Sequence, residues 1–229
     1  MNWKKIQKRL KELGYYQGEI DGIVGPLTES AIVRFKLSKG LRARPYVGPI
    51  TYAALMEKKP VVPRRKDEPV WIRRARQEIG VREIKGPKHN ARVLWYWIKA
   101  HLPWFKTDEI PWCAGFVGAM LESCGLKSTR SGMARSYLNW GKKIPKPVLG
   151  AIVVFWRGSR NGKSGHVGFV AGIDQRGNIL VLGGNQSDEV NISPFDTDRV
   201  LEYRWPVGVP IQQKLVLIEN NDETSKNEA

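Results

Sequence analysis

The sequence predicts an α+β protein in two parts: a small three-helix N-terminal bundle, then a domain with N-terminal helices packed on an antiparallel β-sheet. Three observations carry that expectation. Apolar residues recur at helical spacing over residues 3–56 and again over residues 70–124. β-branched and aromatic runs, punctuated by turn residues, fill residues 151–205. Between the helical stretches, residues 58–69 carry prolines at 60, 63 and 69 among lysines and arginines, with no apolar periodicity. Such a segment reads as a stiff, solvated linker. The expected divisions are therefore 1–57, the linker 58–69, a larger domain 70–214 and a polar tail 215–229.

The first helix is marked by Trp3, Ile6, Leu10 and Leu13, and Gly14 stops it. A glycine-rich turn follows through Gly18, Asp21, Gly22 and Gly25. The segments Gly25-Pro26-Leu27-Thr28 and Gly48-Pro49-Ile50-Thr51 then open two more helices. Proline early in a helix fixes φ and gives up only an N–H that would be unpaired there. Past the linker, helices are expected over Val70–Ile79, Ala91–His101 and Cys113–Cys124, then a loop over residues 125–150. Strands are expected over residues 151–156, 165–173, 179–182 and 200–205. Helices first and strands after them give the α+β class.

Composition narrows the function. The 229 residues carry a net charge of +16, of which residues 1–60 supply +7, residues 61–214 supply +12 and the last fifteen residues −3. Both halves of the body are basic, which implies a polyanionic partner. The charges come in short clusters mixed with acids, without a helix-turn-helix, zinc-finger or RNP pattern. An anionic cell envelope would attract this charge just as well as nucleic acid would; a nucleic-acid partner rests on charge alone, so no nucleic acid is expected. No apolar run approaches the ~18 residues of a membrane helix. The charged start, Met1 to Leu10, lacks a signal-peptide core, so the expectation is a monomer made in the cytoplasm without a signal peptide.

Cys113 heads an apolar helical run, where unpaired N–H groups and the helix dipole favour thiolate. That makes it a candidate nucleophile if a histidine can reach it. Cys124 lies eleven residues on in the same predicted helix, ~16 Å away, too far for a disulfide. It is read as core. The histidine is sought on the strand pair 165–173 and 178–185. If the turn Asp174–Gly177 centres between Gln175 and Arg176, His166 lies opposite Asn185, an amide able to orient the ring. A five-residue loop would instead place Gln186 opposite His166. His89, in a polar loop, and His101, at a helix end, are read as structural.

Two resemblances follow. Leu-Gly-Tyr-Tyr-x-Gly-x-Ile-Asp-Gly-Ile-x-Gly-Pro-x-Thr, residues 13–28, resembles the peptidoglycan-binding domain of many cell-wall hydrolases, with Phe35-Lys36 where that family often has Phe-Gln. The motifs Asp108–Ala114, Gly165-His166-Val167-Gly168-Phe169 and Gly183-Gly184-Asn185-Gln186-Ser187 resemble the CHAP family of papain-like cysteine amidohydrolases and peptidases. That resemblance implies Cys113 as nucleophile, His166 as base and Asn185 as orienter, with Gln186 kept as a second choice at the substrate site. It also implies a substrate wall from Arg135, Tyr137 and Trp140, beside Trp112. Some CHAP members bind calcium, but no D-x-[DN]-x-[DN]-G spacing occurs, so no metal and no cofactor is expected. Asp108, Glu109, Asp188, Glu189, Asp196 and Asp198 are read as solvated or loop-holding.

The combination resembles a phage endolysin, an enzyme held in the host cytoplasm until lysis and then acting on wall peptidoglycan in the periplasm. Such an enzyme cleaves an amide, either within the stem peptide or between N-acetylmuramic acid and L-alanine. The rival expectation is a non-catalytic wall-binding or virion structural protein that keeps the fold.

Overall fold

The structure, a computed structural model, describes residues 2–38, 44–56, 68–211 and 217–218. The chain divides into two compact units, residues 1–61 and 62–229. Most of the expected linker and of the polar tail lies outside the described residues.

In the first unit, helix α1 (Trp3–Glu12) is capped by Asn2, whose side-chain oxygen accepts from the Lys5 N–H. Its stop is the expected one: Gly14 takes φ of +81°, and Tyr15 N donates back to Leu10 O at 2.8 Å. Helices α2 (Pro26–Ser38) and α3 (Pro49–Met56) both begin at their prolines. Ile6, Leu10, Tyr16, Ala31, Ile32, Phe35, Val47 and Leu55 form the core between them. Lys36, the departure from the family pattern, is buried and donates through Nζ to the carbonyls of Arg44 and Tyr46, both at 3.1 Å. Its long stem lets it hold that loop.

The last two residues of the expected linker, Glu68 and Pro69, pack into the fold of the second unit. Glu68 is buried and accepts both Nε and Nη2 of Arg76, and Pro69 is buried ahead of helix α4 (Val70–Gln77). A bidentate partner turns a linker carboxylate into part of the fold. Helix α5 (Ala91–Lys99) ends with His101 at φ +62°, and helix α6 spans Cys113–Glu122. All of Cys113 to Leu121 are buried, so α6 is a core helix on every side.

The sheet holds β1 (Lys142–Ile144), β2 (Ile152–Trp156), β3 (Gly165–Asp174), β4 (Ile179–Gly183), β5 (Asn191–Phe195), β6 (Val200–Trp205) and β7 (Leu217–Ile218). Their order is β1-β6-β2-β3-β4-β5, all neighbours antiparallel, with β7 added parallel to the far end of β3. Helices α4 and α6 pack on β4 and β3, with Phe116 of α6 edge-on to Phe169 of β3 at 6.4 Å. The expected helices-then-sheet order is present. The sequence reading lacked β1 and β5, the two outermost strands of that order. One is three residues with two lysines, and the other contains Pro194. Edge strands tolerate both features, which weaken a strand signal.

The β3–β4 hairpin contains both registers that the sequence left open. Near the turn, Ile173 pairs Ile179 and Gly172 pairs Leu180, the register of the five-residue loop. Ala171 then forms a bulge, and from Val170–Val181 to Phe169–Leu182 the strands run in the tight-turn register. Strand β4 stops at Gly183, before that register reaches His166.

Candidate active site

Cys113 is the first residue of α6, with Trp112 ahead of it. The sulfur lies near the backbone N–H groups of Val167, Ala114 and Cys113 itself, which favour its thiolate. The Val167 contact brings the thiol against β3 beside His166. At 5% exposure it is almost fully enclosed. Burial pushes its pKa up to about 11, against the pull of those three N–H groups and of the Arg157 charge. The expected lowering by the helix start is present but loses to desolvation. At neutral pH this thiol needs a base to take its proton.

His166 is fully buried on β3. Phe195 of β5 lies parallel to its ring, 5.2 Å away at 6°, and Phe155 of β2 is tilted against it at 6.5 Å. The ring plane is thereby fixed. Its Nε2 lies 3.1 Å from Oε1 of Gln186. Gln186 is itself fully buried, and its Nε2 donates toward Val181 O, Asn191 O and Asn191 Oδ1.

The orienting contact therefore belongs to Gln186, not to Asn185. The hairpin register does carry Asn185 level with His166, but only if β4 continued. The chain instead leaves the sheet after Gly183, and Asn185, Ser187 and Asp188 take φ of +58°, +54° and +61°. That left-handed turn swings the next residue, Gln186, back onto the histidine. Asn185 is buried, and among the described residues its side-chain oxygen has no hydrogen-bond partner. Gly183 is required here by close approach: a Cβ on it would strike Gln186 Oε1 and lie 3.2 Å from His166 Nε2.

The expected substrate wall is mostly scaffold. Trp112 is fully buried, stacked on Tyr96 at 5.8 Å and donating to Glu83 Oε2 at 3.3 Å. Tyr137 is buried as well, with its hydroxyl 3.4 Å from Ala114 O, and burial raises its phenol. Arg135 donates to the carbonyls of Ser164, Arg160 and Ser159, so it staples the loop that leads into β3. Trp140 is half-buried and donates to Lys127 O at 2.7 Å. Gln186, expected at the substrate site, lies against His166. Asn191, Ser193 and Phe195 were missed; their alternation on one strand is a usable signal only once β5 is recognised.

The other histidines are engaged elsewhere. His89 Nδ1 lies 2.8 Å from Asp108 Oδ1, and Asp108 Oδ2 accepts from the N–H groups of Ile84 and Asn90. Those N–H groups and His89 hold its carboxyl below the usual range, although burial opposes them. His101 Nε2 faces Glu122 at 3.5 Å. Calcium does not fit this donor set. Asp108 is already bonded through both oxygens, Asp188 and Glu189 face Lys85 and Arg82, and Asp196 caps the Asp198 N–H. Among the described residues no three metal-ligating side chains converge. Both cysteines are free thiols.

Comparison with known families finds two matches. Residues 2–55 match the family described as "Putative peptidoglycan binding domain", and residues 105–185 match the CHAP domain. The second match contains Cys113 and His166 and stops one residue before Gln186. No curated protein and no solved structure matches the chain. The two segments give it an endolysin-like architecture and support a role in peptidoglycan hydrolysis, and the α+β unit carries the papain-like order of CHAP domains.

Proposed function

We propose that the second unit hydrolyses an amide bond of peptidoglycan by a Cys113–His166–Gln186 thiolate mechanism, while residues 2–55 hold the protein on the wall. The observation that carries this reading is the buried His166 Nε2 to Gln186 Oε1 contact at 3.1 Å, beside a cysteine that heads a helix. With Nε2 held by Gln186, Nδ1 is the basic nitrogen and takes the Cys113 proton. The thiolate attacks the amide carbonyl, and backbone N–H groups at the start of α6 stabilise the oxyanion. His166 returns the proton to the leaving nitrogen as the C–N bond breaks, which leaves a thioester. Water then attacks the thioester, giving up a proton to His166. That proton returns to sulfur as the acid product departs.

Burial of the thiol supports the same division of labour, because a cysteine with a pKa near 11 is inert until its base acts. On this reading the enzyme works where wall peptidoglycan lies, after release from the cytoplasm that makes it. The test is turbidity loss of outer-membrane-permeabilised cells. Wild type clears them, and Cys113→Ala does not but still sediments with sacculi. Clearing by Cys113→Ala at the wild-type rate overturns the mechanism. No clearing by wild type favours the non-catalytic wall-binding alternative. Mass spectrometry of digested sacculi then assigns the bond, since an endopeptidase and an N-acetylmuramoyl-L-alanine amidase leave different termini.

A further inference from the structure

We infer that Asn191 is a positioning residue that sets the tautomer of His166 through Gln186. The inference rests on the hydrolase reading only for its kinetic consequence. It starts from a backbone carbonyl, which can only accept. Asn191 Nδ2 lies 2.8 Å from the carbonyl oxygen of Gln186, so that end of the Asn191 amide must be the NH2. The other end, Oδ1, then faces outward to the Ser193 hydroxyl at 2.7 Å and to the Gln186 side chain at 2.7 Å. A side-chain atom that faces Asn191 Oδ1 must itself donate. It also lies 3.2 Å from Val181 O and 3.1 Å from Asn191 O, two further groups that only accept.

Gln186 therefore has its NH2 toward β4 and β5, and its oxygen toward His166. An oxygen there accepts, so His166 must carry its hydrogen on Nε2, and neutral His166 has its lone pair on Nδ1. The polarity runs in one direction from a main-chain carbonyl to the imidazole. Every link is buried or half-buried, so water does not compete for the same bonds. Strand β5 supplies the whole device from one face, because Asn191, Ser193 and Phe195 alternate along it. Asn191 Oδ1, the shortest of the three contacts to the Gln186 NH2, acts with the main-chain carbonyls of Val181 and Asn191 to set which nitrogen is protonated, and Phe195 sets the ring plane.

A wrong tautomer would present N–H to the thiol and leave two acceptors, Nε2 and the Gln186 oxygen, facing each other. Loss of Asn191 should therefore lower turnover and leave substrate affinity alone. The test is 15N NMR of His166 in the full chain at a pH where the ring is neutral, with kinetics on sacculi. Wild type is expected to show a single pyrrole-like Nε2 and a pyridine-like Nδ1. Asn191→Ala is expected to show mixed tautomers, with kcat down roughly tenfold or more and KM within about twofold. Asn191→Asp, protonated in this buried site, can donate to the Gln186 carbonyl and accept from Gln186 Nε2. It should restore the single tautomer. A pyridine-like Nε2 in wild type overturns the inference whatever the variants do. So does a single Nε2–H tautomer in Asn191→Ala, or a mixture in Asn191→Asp equal to that in Asn191→Ala. If wild type clears no cells but shows the Nε2–H tautomer, the hydrolase reading fails and the positioning role stands.

Discussion

Two buried glutamines, one in each unit, show how the same residue serves structure in one place and chemistry in the other. Gln7 and Gln186 are both fully buried. Gln7 Nε2 sits within hydrogen-bond distance of Tyr16 Oη, Asp21 Oδ1, Ile23 O and Thr28 Oγ1, and its oxygen accepts from Gly22 N at 2.7 Å. Each of those partners belongs to the glycine-rich turn, to the segment between α1 and that turn or to the start of α2. Gln7 therefore pins the turn to helix α1. Gln186 is held as tightly through its NH2, but its oxygen meets a histidine. What separates them is the destination of one bond. A buried amide that ends on main chain makes a fold, and one that ends on a titratable ring sets a proton.

Three sets of experiments would break or sharpen that contrast. The largest effect is expected at Gln186. Gln186→Ala should lower kcat by about 10²-fold or more with the fold intact, since the orienting group of such a dyad controls its tautomer. Asn185→Ala, in comparison, should fall by no more than about threefold, because its side-chain oxygen makes no hydrogen bond among the described residues. If Asn185→Ala fell as far as Gln186→Ala, the assignment of the orienter would be wrong. Steady-state rates on sacculi, with circular dichroism as the folding control, make the comparison.

The second effect concerns the thiol. In His166→Ala, alkylation of Cys113 by iodoacetamide should be slow at pH 7 and rise only toward pH 11, since burial raises the pKa to about 11. With His166 present, reaction near neutrality should be faster. The same raised pKa has a stability sign: the folded state holds the neutral thiol and should lose stability as pH climbs from about 9 through about 11. Cys113→Ser should flatten that part of the denaturation profile. Equal alkylation profiles with and without His166 would remove the base from the mechanism.

The smallest catalytic effect is expected at Gln7. Gln7→Ala leaves Gly22 N and the Gln7 partners without their buried bonds, and should destabilise the N-terminal unit by about 2 kcal/mol. Thermal unfolding of the full chain would show it, together with weaker retention on sacculi. Turnover of a small soluble peptide fragment of the wall should stay at the wild-type level. A matching loss there would mean that Gln7 contributes more than the fold of its own unit.

Most of the helices and the central strands could be read from the sequence, because they follow from local periodicity and from Pro26, Pro49 and Gly14 acting where they stand. Cys113 and His166 were legible for a related reason. Each sits in a short motif, one at a helix start and one on an alternating strand. The edge strands β1 and β5 were not legible, since three residues or a proline carry too little pattern. The boundary at Glu68 was also missed, because its partner, Arg76, is met only when the helix folds back.

The sequence alone determined the order of helices before sheet, the cysteine at the head of α6 and the two families that the segments resemble. The tertiary structure decided which amide orients His166. A bulge at Ala171, the end of β4 at Gly183 and left-handed backbone at Asn185, Ser187 and Asp188 bring Gln186 against His166, although strand register points to Asn185. The same holds for the thiol: a helix start favours thiolate, but only packing shows that the site is dry enough for desolvation to win. Register and dipole are local properties of the chain. Burial and the far partner of a hydrogen bond exist only after distant segments meet.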